Sequence, residues 1–81
     1  QIQLAWSTAS ESQNSHFEIE RSVNGTDFVK IGERKGAGNS SSVLNYSFID
    51  NNPANGTNYY RLKQVDFNGK FEYSNIEAAS L

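Results

Sequence analysis

The chain has 81 residues, a net charge of −2 and no cysteine, so we expect one domain over residues 1–81 with no disulfide to stabilise it. Its charged residues are scattered, which excludes the basic stripe that nucleic-acid binding needs, and no stretch approaches the roughly 18 apolar residues of a membrane span. The chain begins QIQLAW, with neither an initiating Met nor a signal peptide, which indicates a fragment of a larger protein.

The first half of the chain predicts three strands. Residues 2–6 (IQLAW) alternate between apolar and polar or small side chains, the period of a half-buried strand, and a polar loop is expected over residues 8–15. Residues 17–23 (FEIERSV) alternate in the same way. Asn24-Gly25 predicts a two-residue type I′ hairpin turn, because Asn and Gly tolerate the positive φ that this turn needs. Residues 28–31 form the return strand.

The second half predicts three more strands, at residues 46–49, 59–65 and 71–78. The segment 36–42 (GAGNSSS) is expected to be a loop that crosses from one sheet to the other. Residues 50–56 (DNNPANG) and 66–69 (DFNG) predict turns, because Pro, Gly and Asn terminate strands. Six short strands at about ten-residue spacing, with no helical period, indicate an all-β sandwich or barrel.

We expect a single core between two sheets, built from residues that share one face of their strands. Phe28 is also assigned to the core. The remaining core residues are Ile2, Leu4, Trp6, Phe17, Ile19, Tyr46, Phe48, Tyr60 and Leu62.

Three motifs, in order, resemble the fibronectin type III module. LAW at residues 4–6 resembles its second strand, FEIERSVNG at 17–25 its third strand and hairpin, and GTNYYRLKQVDFNG at 56–69 its sixth strand and turn. The set WSTASE, FEIERS and NYYRLKQVD is similar to a fibronectin-like module of secreted Bacteroidota proteins, which precedes a type IX secretion sorting domain near the C-terminus. The resemblance covers nearly the whole chain.

This resemblance implies an immunoglobulin-like antiparallel β-sandwich in a secreted or cell-surface bacterial protein. It implies a structural module whose partners are the neighbouring domains of the parent protein. The family has seven strands and residues 2–6 match the second, so we expect the first strand to be missing. A bare edge at residues 2–6 would recruit another strand, giving an edge-strand dimer of the isolated fragment or a gain in stability when upstream residues are restored.

The residues that could carry chemistry predict no enzyme, no metal and no cofactor. His16 is the one histidine, and no carboxylate stands at ligand spacing from it in the sequence. Glu18 and Glu20 lie two apart on a strand and are expected to form a charged outer face with Arg61 and Lys63, not a glycosidase pair. The DFNG turn at 66–69 lacks the further acids of a calcium loop.

The aromatic residues leave two functions open. A three-residue turn at 66–69 would place Tyr73 outside with Tyr59, Arg61 and Lys63, and Ile76 inside. We interpret this face as an interaction surface for an adjoining domain, with the tyrosines as anchors. The alternative is a carbohydrate-binding module that uses the exposed rings, and on a flat face any glycan would bind weakly.

Overall fold

The computed structural model describes residues 1–81 and contains seven strands. The strands are β1 (Ile2–Thr8), β2 (Glu11–Ser22), β3 (Val29–Ser40), β4 (Leu44–Asp50), β5 (Thr57–Asp66), β6 (Phe71–Tyr73) and β7 (Glu77–Ser80). No helix in the structure is suited to crossing a membrane.

The strands form two antiparallel sheets, which make a small immunoglobulin-like β-sandwich, as predicted. β1 pairs with β4 in a two-stranded sheet, and β3, β2, β5 and β6 are neighbours in that order in a five-stranded sheet. β7 completes the second sheet by pairing with β5 at Thr57–Tyr60, while β6 pairs with the other half of the same strand at Lys63–Val65. The predicted last strand is therefore divided into β6 and β7. The outer edge of β1 has no partner.

The core is most tightly packed around Phe17, Ile19 and Tyr60, which are 2%, 0% and 4% exposed. The indole of Trp6 stacks on Tyr46 with ring centroids 5.6 Å apart, and the ring of Phe17 meets both of these rings at steep angles. The other predicted core residues are only half-buried, because the two-stranded sheet leaves one side of the sandwich open. These half-buried residues include Ile2, Leu4, Phe48 and Leu62.

Two segments predicted as loops belong to strands. β2 already begins at Glu11, and β3 continues to Ser40, so the crossing between sheets is made by residues 41–43. The pairing of β2 with β3 is irregular, with register shifts on both sides of Asn14 and a positive φ of 57° at Gln13. Asn14 is completely buried and donates to the Glu11 carboxylate at 2.7 Å. Buried polar side chains therefore hold a bulged pairing that the polar composition had suggested was a loop.

The Asn24-Gly25 turn is not the predicted type I′ turn. Gly25 has a φ of 77°, but Asn24 does not have the positive φ that a type I′ turn requires. The Asn24 side-chain oxygen accepts hydrogen bonds from the amides of Thr26 and Asp27, at 2.9 Å each. The Ser22 hydroxyl accepts from the amides of Asn24 and Gly25. The hydrogen bonds that these two short polar side chains accept stabilise a longer loop between β2 and β3.

A buried carboxylate, Glu11, joins both sheets. It accepts hydrogen bonds from Thr8 Oγ1 at 2.8 Å, Asn14 Nδ2 at 2.7 Å, the Ala37 amide at 2.9 Å and the Tyr46 hydroxyl. Burial raises the pKa of Glu11, but these hydrogen bonds outweigh it and lower the pKa from 4.5 to about 2. Burial and the Glu11 carboxylate together raise the pKa of Tyr46 to about 12.

A second buried carboxylate, Asp50, also joins the two sheets. Both of its oxygens accept from Arg21 at 2.8 Å, and Oδ2 also accepts from the Tyr60 hydroxyl at 2.7 Å. Burial raises the pKa of Asp50, but the hydrogen bonds from Tyr60 and Arg21 outweigh it and lower the pKa. Burial and the Asp50 carboxylate raise the pKa of Tyr60. Arg21 lies on the same face of β2 as Phe17 and points inward to make this pair.

Candidate interaction surface

The outer face of the five-stranded sheet carries acidic and basic rows side by side. Glu18 pairs in register with Lys63, and Glu20 pairs with Arg61. Arg61 Nε donates to Glu20 Oε1 at 2.7 Å. The expected charged outer face is therefore present, but only Glu20 and Arg61 form an ion pair across β2 and β5, because Glu18 bonds to His16 instead of Lys63. A one-residue slip of β5 against β2 would put these charges in the core, so the pairs help to specify the register.

Arg61 lies between two aromatic rings on this face. Its guanidinium carbon is 4.1 Å from the centroid of the Phe28 ring and 3.9 Å from that of Tyr73. Because a cation is attracted to the face of an aromatic ring, these two contacts and the hydrogen bond to Glu20 fix the guanidinium from three sides. The assignment of Phe28 to the core was wrong, since its ring packs on Arg61 instead.

Lys63 extends this arrangement along the sheet. Its ammonium nitrogen is 4.1 Å from the centroid of the Phe71 ring, and the Phe71 and Tyr73 rings meet edge to face with centroids 5.4 Å apart. Phe71 is 49% and Tyr73 is 46% exposed, so half of each ring stays open to solvent. We call these five residues the aromatic–cation face: Phe28, Arg61, Lys63, Phe71 and Tyr73.

The turn after β5 brings Tyr73 to this face. The Gly69 amide donates to the Asp66 carbonyl at 2.9 Å, the Asp66 amide donates to the Lys70 carbonyl at 2.8 Å, and Gly69 has a φ of 87°. Residues 67–69 therefore form a three-residue turn, as predicted. Lys63 pairs with Tyr73, which places Tyr73 on the predicted outer face.

The prediction for Ile76 was wrong. Ile76 is 49% exposed, and Glu77 pairs with Tyr60. The register changes because Ser74 interrupts the ladder: its hydroxyl accepts from the Leu62 amide at 2.8 Å, and its own amide donates to the Leu62 carbonyl at 2.9 Å. This side-chain bond shifts the pairing by one residue between β6 and β7.

Tyr59 lies apart from the other predicted surface residues. It pairs with Ser22 and Ala78 at the far end of the sheet, and its ring lies over Gly25, where an added Cβ would be 3.9 Å from ring atoms. The structure thus brings together three of the four predicted residues and leaves Tyr59 outside the group. Sequence reasoning missed Phe28 and Phe71 as members, although Phe71 shares the parity of Tyr73 on β6.

His16 is not isolated, contrary to the sequence prediction. Its Nε2 is 2.9 Å from Glu18 Oε2, and the potential ligand atoms of His16, Glu18 and Glu33 lie within 4.8 Å of one another. β3 brings Glu33 opposite Glu18, a neighbourhood that spacing along the chain cannot reveal. The Lys30 ammonium lies 2.8 Å from Glu33 and 4.0 Å from Glu18. Because Lys30 already pairs with Glu33 and His16 already bonds to Glu18, we assign the group to the charge network of the sheet.

A cleft of about 530 Å³, lined by eight apolar and five polar residues, opens along the free edge of β1 and is walled on the other side by β5 and β7. The indole Nε1 of Trp6 is buried without a hydrogen-bond partner. The prediction of a bare edge at residues 2–6 is confirmed. The apolar residues that line the cleft are Ile2, Leu4, Ala5, Trp6, Tyr60, Leu62, Ala78 and Ala79.

Comparison of the chain with protein-family models, curated proteins and solved structures finds no match. The sandwich fold therefore rests on the geometry described above, and membership of the fibronectin type III family stays a prediction.

Proposed function

We propose that this chain is a non-catalytic interaction and spacer module, and that the aromatic–cation face is its contact with a neighbouring domain of the parent protein. The observation that carries the proposal is the position of Arg61, which is fixed between Phe28 and Tyr73 and bonded to Glu20.

The preorganisation of this face favours protein contact. Aromatic and arginine side chains supply most of the binding energy in protein interfaces, and an interface gains affinity when its side chains are already ordered. Arg61 and Lys63 hold the rings of Tyr73 and Phe71 in place while leaving about half of each ring exposed. The surrounding glutamates provide the polar rim that contacts between domains commonly have.

The shape and the buried polar groups suit a spacer. The molecule measures 38 × 22 × 18 Å, an elongated form that can separate two other domains. It has no disulfide, and the hydrogen-bonded carboxylates Glu11 and Asp50 connect its two sheets. A place in a secreted or cell-surface bacterial protein is part of the proposal and rests on the fibronectin resemblance alone.

Carbohydrate binding is the second candidate, because a polar cleft of about 410 Å³ adjoins Phe71. Gln64, Asp66 and Glu72 line this cleft and could accept or donate hydrogen bonds to sugar hydroxyls. Two features favour the protein contact instead. The Phe71 and Tyr73 rings lie at 72° to each other and so form no continuous platform, and Arg61 covers one face of Tyr73.

The test compares the isolated domain with a fragment that includes the adjoining domain of the parent protein. Docking should raise the melting temperature of this domain, by about 4–8 °C for each kcal/mol of contact energy. The double substitution Phe71→Ala with Tyr73→Ala should remove that gain while leaving the isolated fold nearly as stable. The matched control, Val43→Ala with Ile49→Ala, also truncates exposed apolar side chains and should keep the gain.

Three results would count against the proposal. The adjoining domain could add no stability to the unaltered chain, or the Phe71 and Tyr73 double variant could keep the full gain in stability. The third is calorimetric binding of an oligosaccharide that Phe71→Ala abolishes, which would favour the carbohydrate candidate.

A further inference from the structure

Asparagine followed by glycine occurs three times in the chain, at Asn24-Gly25, Asn55-Gly56 and Asn68-Gly69. In this dipeptide the backbone nitrogen of the glycine can attack the side-chain carbonyl carbon of the asparagine, because glycine has no Cβ to obstruct the approach. The attack needs an amide that has lost its proton and a side chain that is free to turn towards it. The hydrogen bonds of these two groups therefore decide which of the three pairs reacts.

The Asn24-Gly25 pair is held on both sides. The Gly25 amide, which would be the attacking group, donates to Ser22 Oγ at 3.0 Å. The Asn24 side-chain oxygen accepts from the amides of Thr26 and Asp27, and its Nδ2 donates to Asp27 Oδ2 at 2.8 Å. A hydrogen bond that an amide donates favours its protonated form, and the Asn24 side chain cannot turn without breaking its own bonds.

The Asn68-Gly69 pair is restrained in the same way, although it lies in an exposed turn. The Gly69 amide donates to the Asp66 carbonyl at 2.9 Å, and Asn68 Oδ1 accepts from the Lys70 amide at 2.9 Å. Reaction at this pair therefore requires the turn to open first.

The Asn55-Gly56 pair is free to react. Both residues are exposed, and the hydrogen bonds of their turn are made by Ala54, by Asn58 and by the Gly56 carbonyl, which accepts from the Leu81 amide at 2.9 Å. The Gly56 amide and the Asn55 side chain have no hydrogen-bond partner in the protein. Gly56 has a φ of 90°, and a Cβ added to it would meet nothing within 4 Å, so the turn has room for a ring between the two residues.

We propose that Asn55 is a site of spontaneous deamidation, with water as the co-reactant. The Gly56 nitrogen gives its proton to solvent and bonds to Asn55 Cγ, while the bond from Cγ to Nδ2 breaks and the side-chain nitrogen leaves as ammonia. Water then opens the resulting succinimide. Breaking the bond from the Gly56 nitrogen to Cγ gives aspartate, and breaking its bond to the main-chain carbonyl carbon gives isoaspartate. A water molecule is consumed, ammonia is released and no electrons are transferred.

Isoaspartate at this position would disturb the buried Asn58. Asn58 is 0% exposed, and its Nδ2 donates to the Ala54 carbonyl at 2.8 Å and to the Gly56 carbonyl at 3.4 Å, on either side of Asn55. Isoaspartate adds a carbon atom to the main chain between these two carbonyls, so their spacing no longer fits the Asn58 amide. Aspartate adds the same negative charge and leaves the main chain unchanged.

The test follows the unaltered chain at mildly alkaline pH, folded in buffer and unfolded in guanidinium chloride. Peptide mass spectrometry measures all three pairs in each sample, so Asn24 and Asn68 are internal controls. In the folded chain Asn55 should react about tenfold faster than Asn24 or Asn68, the factor that corresponds to the worth of a typical hydrogen bond. In the unfolded chain the three rates should become similar. Both aspartate and isoaspartate should form, and oxygen-18 water should label them.

The consequence for Asn58 is measured on the isoaspartate fraction after chromatographic separation. Asn55→Asp is the matched control, since it carries the charge of the product on an unchanged main chain. The isoaspartate fraction should melt at a lower temperature than Asn55→Asp, which should melt close to the unaltered chain.

Two outcomes would overturn the assignment of Asn55 as the reactive site. Asn55 could react no faster than Asn24 or Asn68 in the folded chain, or aspartate could form without isoaspartate, which would exclude the succinimide. An isoaspartate fraction that melts like Asn55→Asp would overturn the expected effect on Asn58.

Discussion

Replacement of Glu11 by Gln should destabilise the domain strongly at neutral pH. Glu11 is 6% exposed and accepts four hydrogen bonds, whereas a glutamine side chain offers one acceptor oxygen and turns an NH₂ group towards the remaining donors. The lowering of the pKa of Glu11 from 4.5 to about 2 corresponds to about 3 kcal/mol of differential interaction with the charged form. We expect Glu11→Gln to lower the free energy of unfolding by about that amount at pH 7.

The loss of stability caused by Glu11→Gln should depend on pH. Because the pKa of Glu11 is lower in the folded than in the unfolded chain, its contribution is present in full above about pH 5 and is lost as the pH falls from 4.5 towards 2. The difference between the unaltered chain and the variant should therefore shrink over that range. Other carboxylates titrate in both proteins, so their effects largely cancel in the comparison.

Urea unfolding followed by Trp6 fluorescence at pH 7 and at pH 3 measures both effects. Glu72→Gln is the matched control, since Glu72 is exposed and its substitution removes the same charge. A cost of Glu11→Gln no larger than that of Glu72→Gln at pH 7 would contradict the structural role of the Glu11 carboxylate. So would an equal cost of Glu11→Gln at both pH values.

Three further substitutions test the packing described above. Asp50→Asn leaves Arg21 without its anion and should cost about 3–5 kcal/mol in urea unfolding, and an effect below about 1 kcal/mol would show that the pair is not structural. Gly32→Ala would drive a Cβ into the Phe48 ring and should cost about 1–3 kcal/mol, whereas an unchanged melting temperature would mean that the ring is free to move. Trp6→Ala removes the stack on Tyr46 and should cost about 3 kcal/mol, the low end for such a change because Trp6 is only half-buried; an unaltered thermal melt would refute its place in the core.

The strand pattern and the parity of the outer face could be predicted from the sequence because both depend on local periodicity. Alternation of apolar and polar residues put Phe17 and Ile19 inside and Glu18 and Glu20 outside, and a three-residue turn closed by Gly69 put Tyr73 beside Lys63. These features need only the period of a strand and the length of a turn.

The errors have a common physical origin in side chains that bond to the backbone or across strands. The Ser74 hydroxyl accepts a hydrogen bond from the Leu62 amide. This bond shifts the strand register that would have placed Ile76 inside. Asn24 builds a loop where its dipeptide with Gly25 predicts a tight turn. His16 meets Glu33 through strand pairing, which spacing along the chain does not encode. Such contacts depend on tertiary structure, so a residue pattern cannot specify them.

The assembly of the aromatic–cation face was only partly predictable for the same reason. Arg61, Lys63 and Tyr73 could be grouped by parity along β5 and β6. Phe28 looked like a core residue because it is large and apolar, and only the position of Arg61 across the sheet gives its ring a partner outside the core.

Hydroxyl-radical footprinting of the parent protein tests whether the aromatic–cation face docks against a neighbouring domain, and it needs no substitution. Oxidation of Phe71 and Tyr73 is compared between the isolated domain and the parent protein, with the exposed Val43 and Ile49 as internal references. If the aromatic–cation face docks against a neighbouring domain, Phe71 and Tyr73 should be protected in the parent protein while the reference residues react as before. Equal oxidation of Phe71 and Tyr73 in both proteins would contradict the account.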